Sequence, residues 1–181
     1  MPSLSSRQED LALEKKSTAG RVARCGLLIA LAMIFSYVES LIPINFGVPG
    51  MKLGIANLVV VVGLYIMDPR DVFLISMIRI LLMGWMFGNG VSVIYSLAGG
   101  LLSFFVMLLL KRHAGLSMTG VSIAGGVSHN IGQIIVAAAI VENMKVLYYL
   151  PVLLVAGVVT GAIIGIVAGQ ITGIVKKAFR Q

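Results

Sequence analysis

The chain reads as an all-α integral membrane protein, a single bundle of six transmembrane helices with both termini on the cytosolic side. Three observations predict this. Hydrophobic residues make up 59% of the 181 positions, mean hydropathy is +1.02 and only 12% of residues are charged, which excludes an ordinary soluble domain. Apolar runs long enough to cross a bilayer recur along nearly the whole chain. The lysines and arginines collect in alternate connecting segments, the signature of membrane orientation.

The elements follow in order. Residues 1–20 are polar and mixed in charge and read as a cytosolic arm or a short surface helix, leaving 21–178 as the transmembrane domain. Span 1 covers about Val22–Ile42, and "PINFGVPGMK" (43–52), with two prolines and two glycines, forms an outer loop. Span 2 is about Leu53–Met67 and ends at "DPR"; span 3 is about Val72–Phe87, closed by "GNG" at 88–90. Spans 4, 5 and 6 cover about Val91–Leu110, Met118–Val141 and Leu147–Val175, separated by "KRHAG" and "ENMK". Spans 2 and 3 are short for a core of about 30 Å at about 1.5 Å per residue, so they thin the bilayer, stand upright or border a cavity.

With the N-terminus inside, the inner segments hold Arg7, Lys15, Lys16, Arg21, Arg24 and Arg70, then Lys111, Arg112, Lys176, Lys177 and Arg180. The outer loops hold only Lys52 and Lys145, so the inner excess predicts cytosolic termini. The net charge of +7 therefore belongs to topology rather than to nucleic-acid binding. The first apolar run is long, without a small-x-small cleavage site leading into a soluble domain, and is not read as a cleavable signal. Cys25 is the sole cysteine, and no Cys/His spacing points to a metal or a resident cofactor.

Small residues mark where helices approach closely. Span 6 carries Gly157, Gly161, Gly165, Gly169 and Gly173 at intervals of four, a groove on one face. Span 5 has Gly120, Ala124, Ser128 and Gly132; span 4 has Ser92, Ser96 and Gly100. At the inner end of span 1, Ala19, Ala23, Gly26 and Ala30 form a stripe that a partner helix can reach.

The polar groups inside apolar spans are the candidate site. Glu39 falls in the outer third of span 1, Asn57 in the outer third of span 2 and Arg79 near the middle of span 3. His129, Asn130 and Gln133 lie in the middle-to-outer part of span 5, while Lys52 and Asn89 border the outer mouth. An arginine at a helix centre costs about 2.5–3.5 kcal/mol on insertion scales, so such residues face a cavity or a partner. Arg79 keeps its proton and needs an anion, which is Glu39, a ligand carboxylate or a ligand phosphate. Successive helical residues point about 100° apart, so His129 and Asn130 face different neighbours. The face Gly125–His129–Gln133 reads as a ligand wall and Gly120–Ser128–Gly132 as a packing face; a packing cluster without ligand is the competing reading.

Several chemistries are excluded by residue type. Prenyl transfer needs clustered carboxylates to hold Mg²⁺ on a diphosphate. The chain has three aspartates, and "MDPRD", with Asp68 and Asp71, reads as a turn with Asp71 capping the next helix. No P-loop, nucleophile elbow or dinucleotide fingerprint is present.

Two stretches, "LLIALAMIFSYVESLIPI" and "GMKLGIANLVVVVGLYIMDPRD", resemble the substrate-binding S components of energy-coupling factor transporters. More narrowly, "ISMIRILLMGWMFGNGVSVIYSLAGGLLS" and "GGVSHNIGQ" resemble the family labelled heptaprenyl diphosphate synthase component I, also called the Gx transporter family, over about residues 20–175. The resemblance implies a bacterial plasma-membrane protein that captures a small nutrient or cofactor precursor from outside. It further implies a transmembrane coupling subunit and two ATPases as partners, with the coupling subunit meeting Ala19, Ala23 and Ala30. The site would be closed by loops containing Lys52, Asn89 and Glu142. The synthase label implies instead an accessory, non-catalytic subunit of polyprenyl diphosphate or quinone synthesis.

Overall fold

In the computed structural model, residues 4–41, 54–87 and 90–178 are described, with side chains from 18 to 177. Six α-helices follow one another: α1 Leu4–Leu41, α2 Asn57–Ile66, α3 Pro69–Phe87, α4 Gly90–His113, α5 Met118–Val141 and α6 Leu150–Ala178. A 3-10 helix, Met144–Tyr149, leads into α6, and no strand occurs among the described residues. Four segments are long and apolar enough to cross a membrane: Thr18–Leu41, Gly90–His113, Met118–Val141 and Met144–Lys177.

The remaining two helices are those expected to be short for a hydrocarbon core. The 10 residues of α2 rise only about 15 Å, half of a hydrocarbon core. Its start is fixed by Gly54, whose φ of 85° suits glycine, and by a tight turn in which Asn57 N donates to Gly54 O. From Asn57 to Leu64 every residue is buried, so α2 is an apolar plug surrounded by other helices rather than a lipid-facing span. α3 has 19 residues, yet Arg70, Asp71 and Arg79 fall within any 18 of them and lower its apolarity.

α1 runs unbroken from Leu4 to Leu41, with no proline or paired glycine to interrupt it, and its membrane-length apolar part begins at Thr18. One further expectation is corrected. Asp71 is not the cap of α3. Pro69, whose missing N–H costs nothing at a first helical position, opens the helix, and Asp71 sits in its first turn. There Asp71 Oδ2 accepts from Arg21 Nε at 2.8 Å, and Arg21 Nη2 donates to Oδ1. This pairing ties the foot of α1 to α3 and holds the Asp71 carboxyl below the usual carboxylate range.

Helix contacts place α5 between α4 and α6, α1 on α3, and α2 against α6. The α5–α6 seam is made by glycines: a Cβ on Gly126 would stand 2.4 Å from Gly157 O, and one on Gly161 2.7 Å from Ile123 Cα. Backbone therefore meets backbone, a close approach only small residues permit. On the lower half of α6 the groove is open, since nothing lies within 4 Å of a Cβ at Gly169 or Gly173. The largest apolar core surrounds α2, where Leu58, Val61 and Leu64 pack with Phe104, Met107 and Val121. Outward faces carry Leu27, Ile34, Phe105, Val155 and Ile163, as a lipid-facing surface requires. Trp85, Tyr148 and Tyr149 are exposed at the end remote from Lys111 and Lys176, an aromatic belt at one interface.

Candidate functional site

α1 turns a single face inward in its outer half. Ala32, Ser36 and Glu39, at intervals of four and three, are all buried. Glu39 Oε1 accepts from the N–H of Gly54 at 2.5 Å, which joins α1 to the turn before α2. The same glycine lies over His129: a Cβ there would be 3.0 Å from Asn57 Nδ2 and 3.3 Å from His129 Cδ2. From α5, Gln133 Nε2 stands 3.0 Å from His129 Nε2, so the histidine tautomer and the amide orientation are set together. On the far side Gly99 of α4 makes room for both, since its Cβ would meet His129 O at 2.8 Å and Gln133 Cγ at 2.9 Å. Arg79 enters from α3, its Nη1 donating to Ser36 Oγ at 2.9 Å, and the Glu39 carboxylate acts on it by Coulomb attraction.

Depth follows from helix length. Asn57, Arg79 and His129 lie 9, 10 and 11 residues from the ends of their helices that adjoin the basic "DPR" and "KRHAG" turns, or about 14–17 Å. All three therefore stand at one level of the bundle, a distance equal to about half of a 30 Å hydrocarbon core from that end, and Glu39 lies farther from it. Asn57, expected in the outer third of span 2, is the first residue of α2, because the helix is ten residues long and begins there.

The structure thus gathers Glu39, Asn57, Arg79, His129 and Gln133 from four helices, and none is more than 7% exposed. Asn130 is not among them. Its Nδ2 donates to Leu153 O of α6 at 2.7 Å, on the face toward the glycine seam. Gly125, expected on the ligand wall, packs beneath Met107 of α4, where a Cβ would be 2.4 Å from the sulfur. Ser128 returns its hydroxyl to Ala124 O at 2.7 Å, and Gly132 packs against the Ala98 carbonyl, while a Cβ at Gly120 would stand nearest to Ser117 and Leu116. Lys52 and Asn89 lie outside the described residues. Ser36, Gly54 and Gly99 were not singled out in the sequence; of these, Ser36 was legible as the residue three before Glu39.

Chemically, the cluster offers one carboxylate, one guanidinium, one imidazole and two amides in an apolar shell. Among the described residues Arg79 Nε has no hydrogen-bond partner, so the guanidinium retains donor capacity. No group of three His, Cys, Asp or Glu able to hold a metal occurs among the described residues.

On α1 the face opposite Ala32, Ser36 and Glu39 carries Ala19, Ala23, Gly26 and Ala30, all exposed, and no atom lies within 4 Å of a Cβ at Gly26. An all-helical membrane protein with a polar cluster buried among its helices is the class these features define. The family described as heptaprenyl diphosphate synthase component I matches residues 28–171, and the chain belongs to it. The matched range contains the whole polar cluster and leaves out Arg21, Arg24, Lys176 and Lys177. No curated protein and no solved structure matches the chain.

Proposed function

We propose that this protein is the substrate-binding subunit of a membrane uptake system resembling the S components of energy-coupling factor transporters. In this reading the chain crosses the bacterial plasma membrane six times with both termini in the cytosol, and the Arg79 cluster takes a small, partly anionic nutrient or cofactor precursor from outside. The single observation that carries the reading is the burial of Arg79 in the field of Glu39, whose partner Gly54 lies over His129 at the start of α2. A buried arginine at that level marks a ligand or ion path. Short helices that begin inside the bilayer are likewise a device of transporter sites, where their N-termini favour anions. Lys52 and Asn89 complete the outer mouth in this proposal, and Asn130 serves it indirectly by fixing α5 on α6.

The partners are a transmembrane coupling subunit and its ATPases, docking on Ala19, Ala23, Gly26 and Ala30. The exposure of that stripe supports this, because no described helix of the chain covers it. The family description favours a second reading, an accessory subunit that anchors or assists a separate prenyl diphosphate synthase. With three aspartates, this chain contributes no Mg²⁺-diphosphate site of its own in that reading.

Purification in mild detergent from the native membrane, followed by mass spectrometry of bound small molecules and of co-purifying chains, separates the two. An anionic metabolite together with an ATPase module supports uptake. A prenyl synthase subunit with no bound metabolite would replace the first reading by the second.

A further inference from the structure

At the Lys/Arg-rich end of the bundle, away from the polar cluster, an open cleft of about 1130 Å³ lies between α1, α4, α6 and the α2–α3 turn. Five cations line it: Arg21, Arg24, Lys111, Lys176 and Lys177. Asp68 and Asp71 are its carboxylates, and Asp71 is engaged by Arg21. The wall between the charges is apolar, with Leu27 and Leu28 of α1, Ile66 and Met67 at the end of α2, and Val175 of α6.

Lys111 has a structural task. Its ammonium donates to Leu64 O near the end of α2 and stands 5.0 Å from the Tyr65 ring centre. A cation at a helix C-terminus and over an aromatic face is favourable on both counts. Lys176 and Arg112 nevertheless press on Lys111 as like charges. Arg24, Lys176 and Lys177 are exposed, and Arg21–Asp71 is the ion pair of the cleft among the described residues. Topology explains why basic residues occur at this end. It does not explain why they converge from three distant helices on one apolar-walled opening, against mutual repulsion.

We infer that this cleft binds the phosphate headgroup of an anionic amphiphile whose tail lies along Leu27, Leu28 and Val175. Basic pockets between helices at a membrane surface bind such headgroups, and each nearby cation contributes about a fivefold gain in affinity. Its volume is larger than that of most small-ligand pockets, as a headgroup with its first tail carbons requires. The amphiphile is a bilayer phospholipid or an isoprenoid phosphate, which share this chemistry.

Native mass spectrometry of the full chain in mild detergent tests the inference with four probes: dioleoylphosphatidylglycerol, dioleoylphosphatidylcholine, geranylgeranyl diphosphate and inorganic pyrophosphate. Wild type should retain an anionic amphiphile at least tenfold over phosphatidylcholine. Arg24→Gln, Lys176→Gln and Lys177→Gln together should lower that retention about a hundredfold. Arg79→Gln should not change it. The single exchanges Arg24→Gln and Lys177→Gln, about fivefold each, carry the same test if the triple variant is unstable. Phosphatidylglycerol that geranylgeranyl diphosphate does not displace assigns a bilayer lipid; displacement at equal concentration assigns an isoprenoid phosphate. Equal retention of phosphatidylcholine, wild-type retention by the triple variant, or displacement by pyrophosphate as strong as by the amphiphiles would overturn it.

Discussion

His129 and Asn130 are neighbours on α5, both buried, both polar and at the same depth, yet they serve opposite faces. Asn130 gives its amide to a backbone carbonyl of α6, four residues beyond Gly126 on the glycine seam. His129 meets Gln133 and Gly54, and Gly54 in turn adjoins Asn57 and donates to the Glu39 carboxylate. The first face is closed by main chain on main chain and leaves no room for a guest. The second is assembled from ionisable and amide side chains around a glycine turn and a half-length helix. Burial alone does not distinguish a structural polar residue from a functional one in a membrane; the identity of the partner does.

The comparison is broken most severely at the seam. Gly126→Leu would drive a side chain into the Gly157 carbonyl, which as backbone cannot move aside. Overpacking usually costs about 1–3 kcal/mol, and rigid surroundings place this substitution at the top of that range or above. Size-exclusion chromatography in detergent should show loss of the monodisperse protein. A normal profile would mean that α5 and α6 do not approach as described.

Asn130→Ala should be milder, removing one interhelical hydrogen bond worth about 0.6 kcal/mol and at most about 1.7. The thermal midpoint should fall by a few degrees while ligand affinity stays at the wild-type value. Impaired binding at unchanged stability would move Asn130 into the site.

At the foot of α1 the effect is smaller and depends on pH. Hydrogen bonding from Arg21 depresses the Asp71 carboxyl, so its contribution is present above the unfolded value of about 3.9 and is lost as pH falls through the lower folded value. Arg21 is about half exposed, and solvent weakens the pair. Asp71→Asn should flatten the acid side of the stability profile. An unchanged profile would show that the pair contributes nothing measurable.

The smallest effect on fold is expected at Ala23, which is exposed on the face of α1 opposite Ser36 and Glu39. Ala23→Leu should leave melting temperature and ligand affinity unchanged and block assembly with the coupling partner. Normal assembly would remove the docking role. A joint loss of fold would mean that the stripe packs within the bundle.

Much of this architecture is legible in the sequence, and the exceptions have physical causes. Apolar runs locate the helices, because a bilayer allows few other structures for such stretches. The shortening of α2 was hidden because Leu53, Ile55 and Ala56 are as apolar as the helix they precede; only the positive φ of Gly54 ends the pattern. The polar start of α1 continues the helix of span 1, since helix continuity and membrane burial are separate properties. In the site, Glu39, Arg79, His129 and Gln133 stood out as charges or amides in oil. Ser36 and Gly99 did not, because a hydroxyl and a missing side chain acquire meaning only from what approaches them. A step of about 100° separates His129 from Asn130, but only the fold shows which of them faces α6.

The central claim is that Arg79 holds an anion at mid-depth. Its most direct test is the affinity of wild type and Arg79→Gln for the compound that co-purifies with the protein, measured by titration on samples of equal folded fraction. A charge-assisted hydrogen bond of about 1.5–3 kcal/mol predicts affinity lower by a factor of about 10 to 150 in the variant. His129→Ala and Gln133→Ala should each show a smaller loss. Equal affinity in Arg79→Gln, with normal yield and melting temperature, would contradict the claim and leave the cluster as helix packing alone.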